Sequence, residues 1–387
     1  MSVDVGTRAP GAVAGGSLDA REAPSGLADR LHRLRNPSTL IVGYGPDLHV
    51  IRSRFGVACA LIALAVAIAL PAFVGPFHLR LLNLSLIAVI GAVALNLLVG
   101  TAGLISLGQA AFLALGAFTA GGLVHYTDAP AWVTLPAATL AGAVLGLVVG
   151  VPSLRLKHLY LAVTTFVLHF AVVLGATAFQ AQAVQSAGIV MPTLELGPIR
   201  LESRTDWYYF VLVLALISIV IGVNLLRSRI GRSWAALRDR DIAAEALGVS
   251  ITRAKLSAFV FTSAVVSFAG AISGYFAGVV SAETYTLELA ISYLAMIIIG
   301  GLGSVLGAVL GAFLITWLPY LIDETLRAFG FEVGPGRISG IHDGVFALLI
   351  LGFLLFEPRG LAELWRRLRT YITLWPFRYV PLERRER

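Results

Sequence analysis

The apolar residues of this chain come in unbroken runs, such as Leu61 to Leu70, and stretches of about 15–23 apolar residues recur along most of the 387-residue sequence. A helix of that length just crosses a hydrocarbon core of roughly 30 Å. At 58% hydrophobic, 13% charged and a mean hydropathy of +0.85, the chain carries more apolar surface than a soluble fold of its length buries. Lipid must solvate most of it. A transmembrane barrel would need strands of about 10 residues in strict alternation, which continuous runs contradict. The expected fold class is therefore all-α, a polytopic integral membrane helical bundle.

Ten spans are expected, at roughly 56–75, 81–100, 104–124, 131–151, 158–180, 207–227, 256–279, 288–302, 305–322 and 341–356. The net charge is +7, and 27 of the 29 basic residues are Arg, grouped by loop, which points to topology and not to nucleic acid. With the N-terminus inside, the loops on the inner face hold 24 Lys and Arg against 5 on the other (Arg80, Arg200, Arg204, Arg327, Arg337). Both termini are expected in the cytoplasm, and the first 50 residues show no apolar core of a secretory signal.

Three segments follow. Residues 1–55 are Ala-, Gly- and Pro-rich with scattered charge, expected as a largely disordered cytoplasmic extension. Residues 56–356 form the transmembrane domain, with its longest inner loop at 227–255. Residues 357–387 form a basic cytoplasmic tail, suited either to the inner leaflet or to a plain stop-transfer role. Cys59, the single cysteine, lies inside the first run and supports neither a disulfide nor a cysteine metal site.

Two glycine-rich turns interrupt apolar sequence on the inner side: Gly100-Thr101-Ala102-Gly103 and Gly300-Gly301-Leu302-Gly303-Ser304. Bends at membrane depth are tolerated inside protein or beside a water-filled path. A tight helical hairpin is the other reading. Asn96, Ser106 and Gln109 are the polar side chains nearest the first turn. With Gly100, Gly103, Gly300, Gly301 and Gly303 they are candidates for a substrate pathway, where helix ends could face a carboxylate; hydrogen bonds between helices, at about 0.6 kcal/mol each, are the alternative use.

A chain that hydrolysed ATP itself would need a phosphate-cradling loop ending Gly-Lys-Ser/Thr. Its only lysines, Lys157 and Lys255, are followed by His158 and Leu256, so any hydrolysis belongs to another polypeptide and no cofactor is expected on this one. Ion coupling would leave titratable groups in mid-span. Glu288 and Asp343 fall at span ends, and His169 is the one imidazole well inside a span, expected in a hydrogen-bonded packing role. An intramembrane enzyme would need a nucleophile with an oriented base; Thr164 and Thr165 near His169 lack the rest of that constellation.

In the 227–255 loop, Gly231 to Gly248 is expected as one helix of about four turns, capped by Ser233 and stopped by Gly248. Asp241 and Glu245 lie four apart with like charge, and Glu245 has no cation three or four positions away. A solvated face tolerates this, and so does a face that meets another protein.

The string from Leu95 to Phe112, Leu-Asn-Leu-Leu-Val-Gly-Thr-Ala-Gly-Leu-Ile-Ser-Leu-Gly-Gln-Ala-Ala-Phe, resembles the signature of the branched-chain amino acid ABC permeases, the LivH/LivM family. The 227–255 loop is similar to their ATPase-contacting segment, and Leu294-Ala295-Met296 with Gly300 to Ala312 is similar to their late glycine-rich hairpin. The likeness spans about residues 80–360, and Asp241 to Gly248 is closer to the LivM type. It implies an ABC importer subunit for branched-chain or similar amino acids, with a LivH-like second permease, two ATPase subunits carrying the ATP and magnesium, and a periplasmic substrate-binding protein as partners. Carried over, Gly231, Arg232, Ala236, Arg238, Asp241, Glu245, Ala246 and Gly248 are the coupling surface. The general ABC pattern begins Glu-Ala-Ala with Gly four residues after its last Ala, whereas Gly248 follows Ala246 by two, so the match is to this family alone. A urea or short-amide permease, or a sugar permease, would keep the same machinery. An ion-coupled secondary transporter would not.

Overall fold

The computed structural model describes residues 54–154, 159–184, 188–197, 199–239, 241–246, 248–328, 344–345, 347–348, 350–352 and 360–374. The chain divides at Arg54, and everything described below lies in the second unit, Phe55–Arg387, apart from that residue. The 1–53 part of the expected extension lies outside the described residues, as do Arg240, Leu247 and most of the expected 341–356 span.

The helices are α1 (Arg54–Ala69), α2 (Pro76–Leu95, running on as a π-helical turn over Asn96–Thr101), α3 (Gln109–Thr127), α4 (Ala131–Ser153), α5 (Leu159–Val184) and α6 (Arg204–Arg227). Two short ones follow, α7 (Arg229–Asp239) and α8 (Asp241–Ala246), then α9 (Ile251–Ala277), α10 (Leu287–Gly300), α11 (Val305–Ala328) and α12 (Leu361–Leu374). Among the described residues eight helical segments are long and apolar enough to cross a membrane. The described part of α1 ends at Ala69, where Pro71 takes the chain into a single 3-10 turn at Leu70–Ala72.

In the apolar window of α2, 94% of residues are buried, against 22% for α6, which makes α2 the central post and α6 a peripheral helix. The exposed large side chains of the outer helices are apolar at helical spacing: Leu140, Val144, Leu147 and Val151 on α4, and Val163, Val167, Phe170 and Leu174 on α5. These faces meet lipid.

Inside lipid, tight packing replaces the hydrophobic effect as the force between helices, and small residues set how close backbones come. On α9 a Cβ added at Gly270 would lie 2.7 Å from Leu113 Cα of α3, and one added at Gly116 of α3 would lie 2.7 Å from Ser267 Cα of α9. The same helix meets α4 along Gly142, Gly146 and Gly150, where Phe259, Ser263 and Ser267 fill the groove. Ser267 Oγ also donates to Phe112 O at 2.8 Å.

At the end away from the glycine-rich turns, two-residue strands tie loops together. β1 (Ile189–Val190) pairs antiparallel with β4 (Val279–Val280), and β2 (Glu195–Leu196) with β3 (Ile199–Arg200). Gln180 Oε1 accepts from Ala282 N at 2.8 Å, so the end of α5 is stitched to the chain entering α10. The α6 helix opens on a capping box: Ser203 Oγ accepts from Thr205 N at 3.0 Å, and Asp206 Oδ2 accepts from Ser203 N at 3.2 Å. Ser203→Ala should cost about 1 kcal/mol, the usual worth of such a cap, seen as a small drop in unfolding temperature with assembly intact.

Two expected boundaries need correcting. The span expected from 104 begins at Gln109, because Gly103 takes a left-handed φ of +70° and residues up to 108 run as irregular chain. The loop helix starts at Arg229, ahead of Gly231, and Arg240 lies outside the described residues. Its cap is Ser228, whose Oγ accepts from Gly231 N at 3.2 Å, while Ser233 sits inside α7 and donates back to Ile230 O at 2.7 Å.

Candidate functional site

The two glycine-rich turns, about 200 residues apart in sequence, meet at one end of the bundle. In the first, the helical bonds widen: Ala102 N donates to Leu97 O and Leu104 N to Leu98 O, each at 3.1 Å. That is the π-type loosening at which α2 ends. In the second, Gly301 and Gly303 take φ of +119° and +82°, conformations that disfavour any side chain.

Asn96 reads both sides of the second turn, accepting from Gly303 N at 2.8 Å and donating to Ser304 O at 2.7 Å. It is 2% exposed, and a Cβ on Gly100 would lie 2.9 Å from Gly303 Cα. Gly300 is packed against the Gly307 carbonyl across the α10–α11 hairpin, and a Cβ on Gly360, at the start of α12, would lie 2.6 Å from Gly301 N. Gln109 Nε2 donates to Gly91 O at 3.1 Å, and Ser106 Oγ accepts from Gly108 N at 3.3 Å. Asn96 and Gln109 are thus engaged between elements.

The α7 helix closes over this junction. Trp234, 1% exposed, sinks into a second apolar cluster with Leu97, Leu98, Ala102, Leu104, Leu237 and Phe259, and its Nε1 donates to Ser257 Oγ at 3.0 Å. Arg238 is turned inward: its guanidinium donates to Gly100 O, and Gly103 lies against its stem. Gly231 is buried, with a Cβ there 2.7 Å from Leu226 Cα, so it packs on the end of α6. Arg232 is exposed and donates to Arg227 O at 2.8 Å, and Ala236 is half-buried.

Of the remaining loop candidates, Glu245 and Ala246 are exposed on α8, Asp241 opens that helix, and Gly248 follows it with φ of +83°. Gly248 N donates to Glu245 O at 2.9 Å and Val249 N to Ala244 O at 3.0 Å, the helix stop expected of a left-handed glycine. The loop therefore divides into a buried half on α7 and an open half around Glu245.

His169 is 2% exposed, but its Nδ1 has no hydrogen-bond partner, and its ring meets Phe170 edge-on at 5.4 Å, so the expected hydrogen bond is absent at that atom. Thr164 donates to Tyr160 O at 2.9 Å and Thr165 to Ala162 O at 3.0 Å, while Thr165 also accepts from Leu107 N. An apolar cavity of about 180 Å³ lies between α2, α6 and α9, with Ser218 as its one hydroxyl among Val93, Leu97, Ile221, Phe261 and other apolar side chains. It could take an apolar side chain, whereas the charged ends of a zwitterion need polar partners.

A family model described as branched-chain amino acid transport system / permease component matches residues 77–355, the stretch that holds both turns and the α7–α8 loop. The chain belongs to this family. It is 31% identical over 327 residues to the high-affinity branched-chain amino acid transport system permease protein LivM of Salmonella typhimurium, covering 78% of this chain and 74% of that one. LivM of Escherichia coli is 32% identical, covering 79% of this chain and 75% of the relative. The autoinducer 2 import system permease protein LsrC of Klebsiella pneumoniae is 31% identical over a shorter stretch, 38% of this chain and 41% of LsrC. No solved structure matches significantly. Family membership, with eight apolar helices of spanning length, makes this a multi-pass protein of the bacterial inner membrane and a permease component of an ABC system.

The residues that sequence reasoning missed are Trp234, Leu237 and Ser228. The first two had a signal: placed three apart in a loop otherwise rich in Arg and Ala, they mark the buried stripe of an amphipathic helix.

Proposed function

We propose that this chain is the LivM-type half of an importer for branched-chain or similar amino acids, paired with a LivH-like permease and driven by two cytoplasmic ATPase subunits that carry the ATP and magnesium. A periplasmic binding protein delivers the cargo to the face bearing the two short strand pairs. The glycine-turn end faces the cytoplasm, in keeping with the 24-to-5 split of basic residues. The observation that carries the reading is the α7–α8 loop: Trp234 and Leu237 anchor it in its own apolar cluster, while Glu245 and Ala246 stand exposed beside it. An anchored helix with an open acidic end is what a soluble motor needs in order to pull on a membrane bundle.

The chain, co-expressed with its neighbouring transport subunits and reconstituted in vesicles, should take up leucine only with ATP inside the compartment that faces α8. Glu245→Arg should cut uptake at least about tenfold and weaken ATPase-subunit retention, because a reversed charge at a docking face typically costs more than 1.4 kcal/mol. Uptake that persists without ATP, or an unaltered Glu245→Arg complex, would sink the proposal. The relationship to LsrC favours one second cargo, autoinducer 2, and competition against leucine uptake in the same vesicles separates the two.

A further inference from the structure

The coupling residues inferred from the loop were expected to face outward, toward a partner. Arg238 does something else. It projects from α7 to the Gly100 carbonyl, its stem lies on Gly103, and one guanidinium nitrogen stands close beside Gly303. A single side chain therefore touches both glycine-rich turns. Among the described residues the turns themselves meet through the Asn96 side chain and the bare backbone contact of Gly100 with Gly303.

We propose that Arg238 is a coupling pin, a positioning residue that holds the two turns together while α7 is seated and lets them part when α7 is drawn away. This rests on the importer reading for what does the drawing, but the pin itself rests on this chain's geometry. Two features fit. Arg238 is exposed as a residue although Trp234 and Leu237 beside it are buried, so its guanidinium sits at the rim of the junction, where water or a partner's acceptor competes for it. A bond there is strong enough to bias two states and weak enough to be exchanged, as a charge-assisted hydrogen bond to a partly solvated carbonyl is. And the turns it joins end α2, α10 and the start of α11, so their separation moves three spanning helices at once.

The test uses a cysteine at Ala102, which is 1% exposed in the cluster beneath α7, in a Cys59→Ala chain. In membrane vesicles the Ala102→Cys thiol should react slowly with an impermeant thiol reagent. Adding Arg238→Ala should speed labelling at least about tenfold, the population shift expected from losing one charge-assisted bond, and Arg238→Lys should recover part of the protection. Gly303→Ala loosens the same junction from the other side, since its φ is +82° and a Cβ would meet Gly100 O at 3.2 Å, and should also speed labelling. Monodisperse elution in detergent checks that each variant folds. In the reconstituted complex, Arg238→Ala should keep its ATPase subunits and hydrolyse ATP while moving less cargo per ATP, whereas Glu245→Arg sheds the ATPase. Labelling unchanged in both Arg238→Ala and Gly303→Ala would overturn the pin, as would loss of ATPase binding in Arg238→Ala with labelling unchanged. If the parent chain binds no ATPase at all, the importer reading falls, and the labelling arm still decides whether Arg238 holds the turns.

Discussion

Gly116→Val will leave no folded bundle to purify. At this position α3 and α9 touch backbone to backbone: the added Cβ would sit inside the Ser267 carbonyl and 2.7 Å from Ser267 Cα, neither of which can rotate away. Gly270, on the opposite helix, holds the reciprocal contact against Leu113. Relief would require the whole pair of helices to separate, and α9 also packs on α4 through Gly142, Gly146 and Gly150. The cost should exceed the roughly 1–3 kcal/mol of an ordinary overpacked core, because the clash is with main chain and extends along both interfaces. Gly175 supplies the contrast. It lies on the exposed face of α5 with nothing within 4 Å of an added Cβ, so Gly175→Ala should be neutral or stabilising by up to about 1 kcal/mol from the gain in helix propensity. Detergent-extracted yield and size-exclusion profile report both. A monodisperse Gly116→Val protein with the parent's unfolding temperature would refute the close-contact account of this fold.

Asn96→Leu should destabilise the chain by about 1.5–4.5 kcal/mol, more than the removal of any single ordinary bond between helices. The amide satisfies Gly303 N in a turn that has no helical partner to offer it, and its other end bonds Ser304 O. Leucine fills similar space but strands a buried N–H, which costs about 1–3 kcal/mol, and forfeits a second bond worth about 0.5–1.5 kcal/mol. Gln109→Leu is the matched comparison. It loses one bond to Gly91 O, a carbonyl inside a helix, and should cost only about 0.5–1.5 kcal/mol. Thermal unfolding of the two variants in the same detergent ranks them, and equal shifts would mean that the second turn does not depend on Asn96.

The same residue shows where sequence reasoning stops. Asn96 was legible as a polar side chain beside a glycine-rich break, and both uses, pathway and interhelical bond, were open. Its bonding partners lie more than 200 residues away, and no local period or spacing points to them. Arg238 was legible as part of the loop that meets a motor, but its inward turn depends on Gly100 O, which is exposed for bonding only because the helix loosens there. The expected cap of the loop helix failed for a local reason. The helix already begins at Arg229, so Ser228 caps it, while Ser233 lies inside its first turns and donates back to Ile230 O.

The residues by themselves determined the class of solvent and therefore the class of fold. Apolar runs too long for a soluble interior must be helices in lipid, since backbone polar groups have no other partner there. The grouping of arginine by loop gave the orientation to expect, the lysine count placed any ATP hydrolysis elsewhere, and the resemblance of the motif strings carried the family. Tertiary structure alone decided which helices touch, that both glycine-rich turns share one junction, and that Arg238 closes it. The physical reason is range. Hydropathy and helix signals act within a few turns of chain, whereas the contact that matters at this site joins an arginine to a carbonyl 138 residues away.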